Sequence, residues 1–187
     1  MNKNSITTKE HFNYGLLIID AQEKILRPIE NNEIIIKNIR KLINAIEILE
    51  ESIFISEQNS MKLGKTIPSL VPSNEFKLFT KMEFSIGRNH QLLSDLSKKK
   101  IKNLIICGFE THICVQQSVS DFISNDIKTF IIADAMGSRN AIDHEIALKR
   151  MISEGAKIAS TESIIFELCR TSTKKEFKQI SNIIKSK

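Results

Sequence analysis

The chain has 187 residues, with 27 Lys and Arg against 22 Asp and Glu and a formal net charge of +5. Apolar residues make up 41% and charged residues 26%, ordinary globular usage, and one domain of this length buries roughly 70% of the surface its unfolded form exposes. The lysines are scattered or gathered in short runs (Lys98 to Lys100, the tail after Thr173) without a basic stripe interleaved with aromatics, which argues against a nucleic-acid footprint; nothing approaches the 18 or so apolar residues of a membrane span.

Short apolar runs alternate with helical patterns, the sequence form of a parallel sheet wrapped by helices. "YGLLIID" (Tyr14 to Asp20) reads as a buried strand. Ile35, Ile39, Leu42, Ile46 and Leu49 then mark one face of a long helix, and "SIFIS" (Ser52 to Ser56) is strand two. Residues Glu57 to Asn74 hold Gly64, Pro68 and Pro72 without a clean period and read as a long loop of the kind found over functional sites. "FKLFTK" (Phe76 to Lys81) is strand three, followed by a helix near Asn89 to Ser97 and by "KNLIICG" as strand four.

A helix from His112 to about Ser124 follows, with Val115, Val119 and Phe122 inward and Thr111 as its cap. "DIKTFIIAD" (Asp126 to Asp134) is strand five. The next helix is expected to bury Leu148, Met151 and Ile152. "AKIAS" is strand six, Thr161 caps a short helix, and a last amphipathic helix carries Phe177, Ile180 and Ile184. With no repeats or linkers, residues 1–187 read as a single domain.

In such a sheet, ligands sit outside the carboxyl ends of the strands. Asp20 ends strand one, Lys81 ends strand three, and Cys114 lies just past strand four. Behind a Thr111 cap, Cys114 falls in the first helical turn, where unpaired N–H groups and the positive end of the dipole favour a thiolate. Lys81 supplies a nearby cation, and Asp20 is placed to take the thiol proton. Taken singly, each residue also has a bland reading: Asp20 capping the next segment, Lys81 a solvated strand end, Cys114 a packing residue. The three together point to chemistry.

Cys107, inside a strand, and Cys169, at a helix end, read as packing. The odd cysteine count without paired spacing argues against a disulfide framework and for a reducing cytoplasm, and the opening "MNKNSITTKEHFNYG" lacks the apolar core of a signal peptide. "LGKT" at Leu63 to Thr66 is not a phosphate loop, because that pattern needs glycine at Asn59 and a strand running straight into a helix.

The segments "LLIIDAQEKI", "TKMEFS" and "IICGFETHICV" resemble the isochorismatase-like cysteine hydrolases over nearly the whole chain. The likeness is strongest to the isochorismatase-domain-containing branch, through "SEQNSMKLGKTIPSL", "DAMGSRNAIDHEIALKRM" and "GAKIASTESIIFEL". The resemblance implies an α/β fold of three layers, a six-stranded parallel sheet in the order 3-2-1-4-5-6, and a catalytic Asp20, Lys81 and Cys114. It also implies a non-proline cis peptide between Phe109 and Glu110 and an oxyanion hole from the backbone N–H groups of Glu110 and Cys114. Gln22, Gln58, Phe84, Phe109 and His112 are expected to line the pocket, with Arg139 a structural anchor.

The loop after strand two lacks the histidines of metal-binding nicotinamidases, so no metal and no other cofactor are expected. The activity implied is cleavage of a small carbonyl compound, an amide foremost, through a thioester-like intermediate. Vinyl ether hydrolysis by acid catalysis and a non-catalytic interaction module are the alternatives. The partners expected are a small-molecule substrate and further copies of the chain, without nucleic acid or membrane.

Overall fold

The continuous apolar runs form strands because helices cover both faces of the sheet they build. In the computed structural model, which describes residues 13–186, the strands are β1 (Tyr14–Ile19), β2 (Ser52–Gln58), β3 (Lys77–Lys81), β4 (Asn103–Phe109), β5 (Lys128–Gly137) and β6 (Lys157–Ala159). They pair in parallel in the order β3-β2-β1-β4-β5-β6. Between and after them run α1 (Glu23–Leu26), α2 (Asn32–Ile48), α3 (Ser60–Leu63), α4 (His90–Lys98), α5 (Gln116–Ser124), α6 (Ala141–Ser153), α7 (Thr161–Cys169) and α8 (Phe177–Lys185). The opening segment, read as carrying no leader, lies outside the described residues as far as residue 12. Among the described residues no helix is long and apolar enough to cross a membrane.

Side chains alternate across the sheet. Leu16 and Ile18 of β1 enter one core cluster with Ile39, Leu42 and Ile46 of α2, Ile164 of α7 and Ile180 of α8. Leu17 and Ile19 enter the other, with Leu92 and Leu96 of α4, Val119 and Phe122 of α5 and Met151 of α6. The helices before β1's neighbours thus lie on opposite faces, which makes the β1–β4 boundary the topological switch point.

Gly108 closes that boundary. Paired with Ile19, it has φ of +118°, and a Cβ there would stand 2.1 Å from the Ile19 carbonyl oxygen. Only glycine permits this approach, which brings the chain leaving β4 against the end of β1.

Several local expectations need correction. α6 buries Ala147 and Met151, with Leu148 partly buried, but Ile152 is 42% exposed, because it falls outside the stripe those three residues define. The cap of α7 is Ser160, which forms a capping box with Ser163; the Thr161 N–H and hydroxyl both donate to Asp134 Oδ1. β2 runs past Ser56 to Gln58 because Gln58 pairs with Lys81 of β3. The loop beyond it holds α3, a 3-10 turn at Pro68–Leu70 and an antiparallel bridge between Gln22 and Thr66.

Candidate active site

Asp20 leaves β1 in the left-handed region, φ +51°, a conformation that aspartate tolerates better than most residues. Its N–H donates to the Ser56 carbonyl at 3.0 Å. Its carboxylate accepts the Ser56 hydroxyl at 2.7 Å on Oδ1 and Lys81 Nζ at 2.6 Å on Oδ2. Lys81 comes from β3, two strands away, a distance of about 10 Å at ordinary strand spacing. Its stem reaches over β2, and Nζ also donates to Gln58 Oε1 at 2.6 Å. The ion pair is wholly inside, with side chains 2% and 0% exposed, so removing either partner would strand a buried charge.

Cys114 arrives from the other side of the switch point. It sits in a π-helical turn, Thr111–Val115, ahead of α5, and its sulfur interacts with both the Asp20 carboxylate and the Lys81 ammonium. The structure therefore brings Asp20, Lys81 and Cys114 together. It does not support the resting thiolate expected at a helix start: burial first, and the Asp20 carboxylate second, push the thiol up to about 12 against the weaker pull of Lys81. At neutral pH the sulfur keeps its proton.

Thr111 is not the cap either. It is buried, and its hydroxyl meets His144 Nδ1 of α6 at 2.9 Å. Glu110 occupies the cap position without a side-chain cap bond; its carboxylate instead accepts the Arg139 N–H and Nε, both at 3.0 Å. The Phe109–Glu110 peptide is cis.

The residues expected to line the pocket fall in different surroundings. Gln22 is buried and clasps Gln58: its Oε1 accepts the Gln58 N–H at 2.7 Å, and its Nε2 donates to the Gln58 carbonyl at 3.0 Å and to the Gly64 carbonyl. Gln58 holds Lys81 and donates from Nε2 to the Met82 carbonyl at 2.8 Å. Phe109 lies in the core cluster beneath α2. Phe84 is 54% exposed on the loop after β3, and His112 Nδ1 meets the Ser138 hydroxyl at 2.9 Å.

Sequence reasoning passed over Ser56, Ser118 and His144. Ser118 Oγ donates to the Cys114 carbonyl at 2.6 Å and accepts the Ile86 N–H at 3.0 Å, tying the sulfur-bearing turn to the loop that follows Lys81. Burial holds the His144 imidazole below its usual range, with Glu145 opposing. Ser56 had a visible signal, the last residue of an apolar run at the carboxyl end of a strand. His144 had none, because its partner Thr111 lies 33 residues earlier. Among the described residues, no group of three His, Cys, Asp or Glu side chains is arranged to hold a metal ion.

A doubly wound parallel sheet with a carboxylate, an ammonium and a thiol acting on one another at its switch point defines a class of α/β proteins with a buried cysteine at the carboxyl ends of the strands. Within that class, the isochorismatase domain matches residues 14–163, and the chain belongs to this family of isochorismatase-like hydrolases. Isochorismatase family protein 1B of Dictyostelium discoideum is 36% identical over 92% of this chain and 86% of its own length. The secreted isochorismatase effector Isc1 of Phytophthora sojae is 29% identical over 91% of this chain and 83% of its own. Among solved structures, MAR1 ribonuclease from Caenorhabditis elegans superposes with a TM-score of 0.89 at 31% identity, covering 94% of this chain and 91% of that one.

Proposed function

We propose that the protein is a cysteine hydrolase that cleaves the C–N bond of a small amide, with Cys114 as nucleophile, Asp20 as proton carrier and Lys81 as the stabilising charge. The observation that carries this reading is a buried ion pair whose two members both act electrostatically on one thiol.

The resting site holds a thiol, a carboxylate and an ammonium. As the sulfur attacks the substrate carbonyl carbon, its proton passes to Asp20; a C–S bond forms and the carbonyl oxygen takes the negative charge. Backbone N–H groups of Glu110 and Cys114 receive that oxygen, a contact worth about 3–4 kcal/mol in the transition state. Protonated Asp20 then gives its proton to the leaving nitrogen, and the C–N bond breaks. Asp20 next takes a proton from water as it attacks the thioester, and returns it to the departing sulfur. Lys81 offsets the developing negative charge throughout, which is what makes a thiol of such high pKa usable.

The test is single-turnover incubation of wild type and Cys114→Ala with a panel of small amides, followed by intact-mass analysis. A short RNA belongs in the panel because of the ribonuclease relative. Acyl adducts on wild type alone are expected; amide cleavage by Cys114→Ala at the wild-type rate would overturn the assignment. A second reading is vinyl ether hydrolysis, in which Asp20 first takes up a proton and then delivers it as general acid; activity then survives Cys114→Ala and is lost in Asp20→Asn.

A reducing cytoplasm is supported by three cysteines that are all free and buried. Self-association is supported by exposed Ile142 and Ile146, one turn apart on α6, and is read out by light scattering of the eluting protein.

A further inference from the structure

We propose that Gln58 is a positioning residue that fixes the Lys81 ammonium between Asp20 and the sulfur, and that neither Gln58 nor Gln22 touches substrate. The proposal rests on the cysteine hydrolase reading and adds how its charge is held in place.

The hydrogen-bond inventory carries it. A glutamine side chain has one carbonyl oxygen and two amide hydrogens. Gln22 directs its two hydrogens to the Gln58 and Gly64 carbonyls and its oxygen to the Gln58 N–H. It therefore bonds both polar groups of the Gln58 backbone, with its own side chain fully buried. Gln58 turns its oxygen to Lys81 Nζ at 2.6 Å and its amide nitrogen to the Met82 carbonyl at 2.8 Å. That second bond orients the group: with nitrogen on a carbonyl, the oxygen must face the ammonium.

Because Gln58 and Lys81 are also paired across β2 and β3, both ends of the contact are set by the sheet. A neutral acceptor at this position holds the lysine without diminishing its charge. A carboxylate would hold it as well but cancel the charge that the sulfur feels. The charged groups facing Cys114 are Asp20 from the end of β1 and Lys81 from the end of β3, so a third charge at position 58 would change the balance directly.

The probe is iodoacetamide, with alkylation of Cys114 followed by mass-mapped peptides from pH 7 to 10 in wild type, Gln58→Glu and Gln58→Met, each checked for folding by circular dichroism. Gln58→Glu adds a negative charge beside the sulfur and is expected to slow alkylation about tenfold at each pH, a one-unit rise in thiol pKa. Gln58→Met keeps the volume, frees the ammonium to drift, and is expected to fall between the two; with a substrate in hand, kcat drops and KM holds.

Alkylation profiles of both folded variants coincident with wild type would overturn the proposal, as would a rise in KM alone, which marks a substrate contact. Faster alkylation in either variant, the sign of a loosened site, would also overturn it. Failure of the hydrolase reading is separate: it is registered by turnover in Cys114→Ala, whatever the Gln58 profiles do.

Discussion

Two thiols seven residues apart differ in everything that matters for reactivity. Cys107 lies in the middle of β4, fully buried, with its S–H directed at the Leu17 carbonyl at 3.8 Å, and burial alone raises its pKa. Cys114 lies beyond the end of the same strand, and a carboxylate and an ammonium act on it from two other strands. Burial makes a thiol inert; charges of both signs beside a buried thiol give it a proton acceptor and a stabiliser for the anion it becomes. The interior of a parallel strand can offer only the first environment, and its carboxyl end can offer both.

The contrast is tested most severely by deletion. Cys114→Ala is expected to lower turnover by about a thousandfold or more, whereas Cys107→Ala leaves turnover near wild type and lowers stability by about 1 kcal/mol, read by urea denaturation. Next come the two charges, which should part company when activity and reactivity are measured side by side. Asp20→Asn is expected to cost about 100-fold or more in turnover yet to speed alkylation of Cys114, because the carboxylate holds the thiol pKa up. Lys81→Met should slow both.

The ion pair and its surroundings show how far sequence reasoning reaches. Continuous apolar runs revealed the strands because a sheet covered on both faces needs apolar residues at successive positions, and Asp20, Lys81 and Cys114 stood out as polar residues where those runs stop. The state of the sulfur was not legible. A helix start argues for a thiolate, and only the packed structure shows that burial and Asp20 outweigh it. Thr111 looked like a cap because capping is a local signal, while its actual partner, His144, comes from α6. Gln22 and Gln58 were expected at the pocket from the family resemblance; that the Gln22 amide bonds the Gln58 backbone and the Gln58 amide bonds Lys81 and the Met82 carbonyl is something no spacing rule reports.

A smaller effect comes from alkaline pH. The Cys114 thiol rises from an ordinary value near 8.5 to about 12 in the folded chain. Between those values the native state holds a proton that the unfolded chain releases, so stability falls as pH rises through this window. Each such thiol contributes a slope of roughly 1 kcal/mol per pH unit. Denaturation midpoints from pH 8.5 to 10.5 should therefore decline less steeply in Cys114→Ala than in wild type; equal slopes would mean that the sulfur is already ionised in the folded protein. The same measurement on Cys107→Ala asks whether burial alone has this consequence.

The least dramatic change is Ser118→Ala. It removes the link from the Cys114 carbonyl to the Ile86 N–H and is expected to cost about 1–2 kcal/mol with a modest loss of turnover. An unchanged denaturation midpoint would show that the two loops are aligned by something other than this hydroxyl.

The pairing of β4 with β5 breaks between Ile106 and Gly108, where β4 advances two residues while β5 runs from Ile131 to Met136. The extra length of β5 sets where Ser138 and Arg139 stand, and with them the wall that meets His112 and Glu110. Asp20 and Lys81 hang from β1 and β3 and stand apart from it. A bulge of different size would therefore shift the side of the site that carries Glu110 and His112 while leaving the Asp20–Lys81 pair where it is, and that is where a protein engineer seeking a new substrate for an old reaction would begin cutting.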